Sequence, residues 1–348
     1  FLCYEDYILW RLGAEPVSSY STASKTMYFD IHRLRWCDAL LDACGLRAEQ
    51  LPTPVPSGMR VGALSREISA LTGIPAGVSL VSGGFDQACC ALSCGVIHPG
   101  DVLDTTGTNE ILFFALGSEQ KRGLLDCGMN YSQHVVPDVF SSYAMIFNAG
   151  GAFRWCRDAL FGDLASHAHV YDEMTGGMSD APERILFLPF LSGIGTPELD
   201  SNAKGAFLGL TLSASRFDLA QSILEGVTFE MRYNLELVRG LTDRPVDTLT
   251  AVGGATKSDY WLQLKSDVNN VPLAVPVGLE PGACGAAMLA GIGCGAFANA
   301  EQAVSACQRH RTHREFFPRP ERVRLYEEAY RRYRRARENT LAEGKNII

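Results

Sequence analysis

Three times along this 348-residue chain a strand-like apolar run breaks at a pair of glycines and resumes as a helix. The units are residues 78–81, Gly83-Gly84 and 88–94; then 143–147, Gly150-Gly151 and 153–160; then 248–252, Gly253-Gly254 and 258–269. Strands that alternate with helices predict an α/β architecture, with ligands gathered at the C-terminal ends of the strands. Glycine at each junction lets the backbone turn sharply and approach a bound molecule closely.

The remaining segments fit around these units. Residues 1–50 read as helical and irregular, with a helix at 4–12, a Ser/Thr/Ala-rich stretch at 18–26 and a helix-like run at 36–44. Pro52, Pro54 and Pro56 make a loop. A short helix at 65–72 should turn Ile68 and Leu71 inward. His98-Pro99-Gly100-Asp101 is a turn by composition. A domain boundary is placed there, giving domains 1–98 and 99–348, with the turn as a hinge.

Beyond it come a hairpin-like pair (102–105 and 111–116), a strand at 185–188, and the longest helix, 217–239. Ser215 with Asp218 suits a capping box for that helix, and Gly240 supplies its stop. Residues 282–291 form a helix of small residues suited to close backbone packing. Tyr326, Tyr330 and Tyr333 form one stripe of a C-terminal helix at 322–338, read as packing back on the body.

Bulk properties narrow the class. The length accommodates two domains with proper cores. With 47% apolar and 20% charged residues the composition is that of a globular protein. A net charge of −8 argues against general nucleic-acid binding. The arginines between Arg331 and Arg337 are interspersed with Glu327, Glu328 and Glu338 and read as a solvated helix face. Eleven cysteines without a Cys-x-x-Cys suggest free thiols in a reducing compartment, hence a cytoplasmic location. No apolar run reaches the eighteen residues of a membrane span. The first residue is Phe1 within a helix-like run, so the chain is read as cut or partial.

Asp86 carries the chemistry. Aspartate is ordinarily ionised at neutral pH and can take the hydrogen of an alcohol, and Gln87 offers both a donor and an acceptor to a neighbouring hydroxyl. An acid after Gly-Gly also serves as a helix cap, which is the commoner use. About twenty residues on, Asp104-Thr105-Thr106-Gly107-Thr108 could cradle phosphate through amides and hydroxyls, or simply turn a hairpin. Gly150 and Gly151, and Gly253 and Gly254 with Ser258, repeat the device of a glycine turn at a helix start. An alcohol acceptor beside several phosphate-suited loops reads as a small-molecule kinase.

Other chemistries lack their motifs. Residues 253–258 end in Lys-Ser without Walker A spacing, and the glycines at 291–295 follow a helix rather than a strand. The pairs His167/His169 and His310/His313 have no ligand partners at metal spacing, and no Gly-x-Ser-x-Gly occurs.

Taken in order, these residues resemble the FGGY carbohydrate kinases. Glu5-Asp6-Tyr7, Trp10-Arg11-Leu12, Ser21–Ser24 and Trp36 sit where that family has its domain I elements. The run from Gly83 to Gln87 is similar to its catalytic Gly-Gly-His-Asp-Gln, with Phe85 in place of a residue that is polar in many members. Asp104–Thr108 resembles the phosphate loop. Leu188–Gly193 with Thr196-Pro197, Asn202–Leu210 and Glu225-Gly226 resemble later signatures. Gly253–Ser258 with Trp261 is similar to the adenosine motif, and Gly285-Ala286-Ala287 lies in the matching later helix.

The resemblance implies an actin/hexokinase-like ATPase (ribonuclease H-like) two-domain fold with an incomplete N-terminal domain. It implies ATP with Mg2+ as cofactors, and a ketose such as a pentulose, or a related polyol, as acceptor. It makes Asp86 the base and Gln87 a sugar contact. Thr106, Gly107 and Thr108 would serve the phosphates, with Gly150 and Gly151 nearby, and Gly253, Gly254 and Ser258 would border the nucleotide. The family's N-terminal Asp-x-Gly-Thr strand is not among these residues, so little activity is expected of the chain by itself. Partners would be the sugar and ATP, with neither nucleic acid nor membrane, and a homodimer is left open. Two alternatives compete: a non-catalytic actin-like nucleotide-binding protein, and a NAD-dependent polyol dehydrogenase, which the missing strand–Gly-x-Gly disfavours.

Overall fold

The computed structural model describes residues 1–118, 121–164, 166–240, 245–278, 280–309 and 311–344; His310 lies outside them. The first hundred residues form small elements. They begin with the helix Tyr4–Leu12, whose acidic first turn and left-handed Gly13 after it suit a helix start and stop. β1 (Arg60–Ala63) pairs antiparallel with β2 (Ser79–Val81). After β2 the chain passes Gly83-Gly84 and enters α1 (Asp86–Ser93).

The second part is built on a seven-stranded mixed sheet. Its strands are β3 (Val102–Thr106), β4 (Glu110–Leu116), β5 (Ser132–Gln133), β6 (Phe140–Ile146), β7 (Leu249–Val252), β8 (Leu273–Pro276) and β9 (His313–Phe316). The order across the sheet is β9-β8-β7-β3-β4-β6-β5. β7 runs parallel to both β3 and β8, while β3, β4 and β6 form an antiparallel meander. Glu-Ile-Leu-Phe-Phe-Ala-Leu in β4 is almost continuously apolar because both faces of the sheet are covered. Leu112 and Phe114 face one cluster with Leu235 and Leu262; Leu103, Phe113 and Ala115 face the other with α1.

Helices cover these faces or pack behind them: α2 (Ala149–Leu160) lies on α3 (Arg216–Arg239), α4 (Asp259–Asn269) and α5 (Pro281–Gly293) lie on the sheet with α3, and α6 (Pro320–Gly344) packs on α3 and α4. The capping box of α3 forms as expected. The Asp218 amide donates to Ser215 Oγ at 3.2 Å, and the Ser215 amide donates to Asp218 Oδ2 at 2.7 Å. The small-residue helix α5 lies directly on α1, and a methyl at Gly285 would overlap the Cys89 carbonyl.

Two expectations are corrected. Leu71 is 75% exposed, because the helix Arg66–Thr72 turns Ile68 toward the small N-terminal core and leaves Leu71 on the opposite side. The Arg331–Arg337 run is not one solvated face. Arg331 is exposed, but Arg337 is only 2% exposed and pairs with Glu230 and Glu198. Counter-charges from another helix and a loop make that burial tolerable, and sequence spacing within α6 does not reveal them. Tyr326, Tyr330 and Tyr333 on the same helix are buried against Phe229. All eleven cysteines are free thiols, and among the described residues no helix is long and apolar enough to cross a membrane.

Candidate active site

The hairpin β3–β4 turns at Gly107-Thr108-Asn109, three exposed residues between buried Thr106 and buried Glu110. The turn is closed by the Gly107 amide donating to the Asn109 carbonyl at 2.8 Å. Neither the amide nor the hydroxyl of exposed Thr108 has a hydrogen-bond partner among the described residues.

The other two glycine turns converge on this hairpin. The amides of Gly150 and Gly151 donate to the carbonyls of Gly107 (3.1 Å) and Thr108 (3.0 Å). They fasten the first turn of α2 to the hairpin tip, so they are not free donors for a ligand. A Cβ on Gly150 would overlap the Gly107 carbonyl, so only glycine permits the approach. From the opposite side Gly253 has φ +96°, and a Cβ there would lie 2.5 Å from the Thr106 carbonyl. Gly254 and Gly107 carry nothing closer than about 3.8 Å above them. Ser258 is occupied as the N-cap of α4, accepting from the Trp261 amide at 3.3 Å. Sequence reasoning named all three turns. It did not identify Asn109, whose Oδ1 accepts from the Asn148 amide at 3.1 Å and ties hairpin to helix.

Thr106 points inward. Its hydroxyl donates to Asp104 Oδ1 at 2.8 Å and accepts from Lys265 Nζ at 2.6 Å, so what it can offer a phosphate is backbone. Lys265 also donates to Asp104 Oδ2 at 2.6 Å and lies 3.3 Å from Glu110 Oε2. Burial pushes the Glu110 carboxyl up to about 8, against the opposing pull of Lys265. Burial would by itself lower the Lys265 ammonium, but the two carboxylates carry it above its ordinary value. Lys265 was missed because a lysine within a helix pattern reads as surface.

Asp86 stands exposed in the first turn of α1, and Gln87 beside it is half-buried with an unpartnered Oε1. The turn bearing them is held from below. Ser21 Oγ accepts from the Phe85 amide at 3.1 Å, and a methyl at Gly84 would strike Val135. Phe85 lies against Tyr143 of β6, with ring centroids 6.3 Å apart and planes tilted by 31°. Lys25 lies over both rings, 4.3 Å from Phe85 and 4.9 Å from Tyr143, and donates to Ser132 Oγ at 2.7 Å. Burial pushes its ammonium down to about 8, while nearby Asp86 raises it. The acid-bearing turn is thus packed against the sheet that carries the glycine turns.

The turns fit a nucleotide tail: the space above Gly107 and Gly254 is open where a side chain would fill it, and Thr108 offers free donors. Among the described residues no group of three or more His, Cys, Asp or Glu could hold a metal ion.

Comparisons with known proteins place the whole chain. Residues 1–93 match the model of the N-terminal domain of the FGGY family of carbohydrate kinases, and residues 105–294 match that of its C-terminal domain. The chain is 27% identical over 337 residues to the xylulose kinase of Bacillus subtilis, covering 96% of the chain and 66% of that protein. It is 29% identical to glycerol kinase 2 of Thermotoga maritima, covering 92% of the chain and 64% of that protein. It thus spans about two thirds of the length of these curated relatives. The crystal structure of a xyloylose kinase from Brucella ovis superimposes with a TM-score of 0.87 at 31% identity, over 97% of this chain and 68% of that one. The architecture is the actin/hexokinase-like ATPase fold.

Proposed function

This chain belongs to the FGGY family of carbohydrate kinases, and on that premise we propose that it carries the machinery for ATP-dependent phosphorylation of a hydroxyl on a small ketose or polyol. One observation carries the reading. Two glycine turns meet at the tip of a hairpin that has unpartnered donors, and an exposed carboxylate stands on a third glycine turn docked against the same sheet. The relatives named as xylulose kinases favour a pentulose, and glycerol kinase 2 keeps a polyol as the second substrate class.

In this reading Asp86 accepts the hydrogen of the attacking hydroxyl. It does so late, since the transferring phosphoryl group is largely dissociative and the oxygen needs orientation more than full deprotonation. Gln87 holds a neighbouring hydroxyl. Thr108, through its amide and hydroxyl, binds phosphate oxygens beside the open Gly107, and Gly253, Gly254 and the start of α4 border the nucleoside. Mg2+, when bound with ATP, neutralises phosphate charge. The division into residues 1–98 on the sugar side and 99–348 on the nucleotide side places a hinge at the turn His98–Asp101. There the Asp101 carboxylate accepts from the amides of Ile97 (3.1 Å) and His98 (2.8 Å).

The test is a coupled assay with ATP and a panel of pentuloses, hexuloses and polyols. The 348 residues by themselves should bind nucleotide but turn over little sugar. In a longer form that includes an Asp-x-Gly-Thr strand, turnover should appear, and Asp86→Asn should lower kcat by roughly 10²–10⁴-fold with nucleotide affinity unchanged. An unaltered kcat would refute Asp86 as the base and favour a pure nucleotide-binding role.

A further inference from the structure

Beneath the hairpin tip lies a charge cluster that the proposed reaction does not itself require. Asp104 and Thr106 project from the same face of β3, and Glu110 stands opposite Thr106 in the antiparallel register. All three are buried, and the Lys265 ammonium reaches each of them from α4. α4 begins where the Gly253–Ser258 loop ends, so one side chain joins the nucleoside-side helix to the underside of the phosphate-side hairpin. The far end of α4 is anchored too, by Asp267 accepting from the Arg319 guanidinium at 2.7 and 3.0 Å.

We propose that Lys265 is a positioning residue for nucleotide phosphates. By holding Thr106 and Glu110 across the two strands it sets the angle at which the Gly107–Asn109 turn presents its donors, and it couples that angle to α4. Both Glu110 side-chain oxygens lack a hydrogen-bond partner, so beyond the backbone pairing of the strand the Lys265 ammonium at 3.3 Å is the polar contact of that side chain. The inference rests on the nucleotide reading above and adds the residue that orients the phosphate half of that site.

Separating phosphate binding from nucleoside binding tests it. Calorimetric titrations of the intact 348-residue chain would use ATP with Mg2+ and, separately, adenosine. Lys265→Met should weaken ATP binding tenfold or more and leave adenosine within twofold, because the Gly253–Ser258 loop is untouched. Removing one charge from a buried cluster can also prevent folding. The charge-free combination Asp104→Asn, Glu110→Gln and Lys265→Met is therefore tested alongside it. It should melt near the wild type while its ATP affinity stays reduced. Undiminished ATP affinity in a folded variant, or parallel loss of ATP and adenosine, overturns the proposal, as does failure of both variants to fold. A wild-type chain that binds no ATP overturns the nucleotide reading, and this inference falls with it.

Discussion

Gly150 and Gly253 show how much depends on single missing side chains. Each places its Cα against a carbonyl of the hairpin, Gly107 and Thr106 respectively, and Gly253 also needs a left-handed φ of +96°. Gly150→Ala should cost about 1–3 kcal/mol through the overlap it forces, read as a shift of the urea midpoint at unchanged m-value. Gly253→Ala combines a clash with a disfavoured backbone region and should lose at least as much. An alanine tolerated at both positions would mean that the three turns are not closely joined. Lys25 belongs to the same scale: its ring contacts and its bond to Ser132 dock the Asp86 turn on the sheet.

Among the elements, α6 is the one whose role is least evident from its own composition. Twenty-five residues with a strongly polar average conceal a buried face of three tyrosines and Arg337. The Arg337 guanidinium donates to both Glu230 oxygens at 2.9–3.2 Å and to Glu198 at 2.7 and 2.8 Å, while the Tyr333 hydroxyl donates to Glu230 Oε2 at 2.6 Å. Arg337→Met strands Glu230 without a counter-charge and should cost about 3–5 kcal/mol. Adding Glu230→Gln should recover much of that loss, because the uncompensated charge is gone. Guanidinium unfolding of the single and double variants checks both statements, and equal stabilities would contradict them.

For the molecule as a whole, two buried carboxyls set a pH dependence. Burial pushes both Glu110 and Glu225 up to about 8, although Lys265 opposes the shift at Glu110 and the Gln221 side chain and Glu183 amide oppose it at Glu225. Folding therefore favours their protonated forms. The unfolded chain releases these protons near pH ~4.5, so between that value and about 8 the native state binds more protons than the unfolded state. The stability they contribute is full below pH ~4.5 and is lost as pH rises through about 8. Glu110→Gln and Glu225→Gln should each flatten the fall in unfolding free energy between pH 5 and 8, measured by denaturant titration at each pH. A slope identical to wild type would show that the carboxyls are ionised throughout.

The α/β order, the helix limits at Ser215 and Gly240, and the three glycine turns were legible along the chain because each rests on local chemistry: periodicity, caps and residues that tolerate tight turns. Asp86 and Gln87 were legible as a pair for the same reason, and the ordered motifs supported the family. What tertiary structure alone decided is how these pieces meet. Asn109 binds Asn148 across 39 residues of chain and Lys265 binds Asp104 across 161. The Thr106 hydroxyl turns inward to serve the fold, and Arg337 goes into the core rather than into solvent. Such choices depend on which charges and carbonyls a fold brings within about 3 Å, and no local pattern encodes a partner that is distant in sequence.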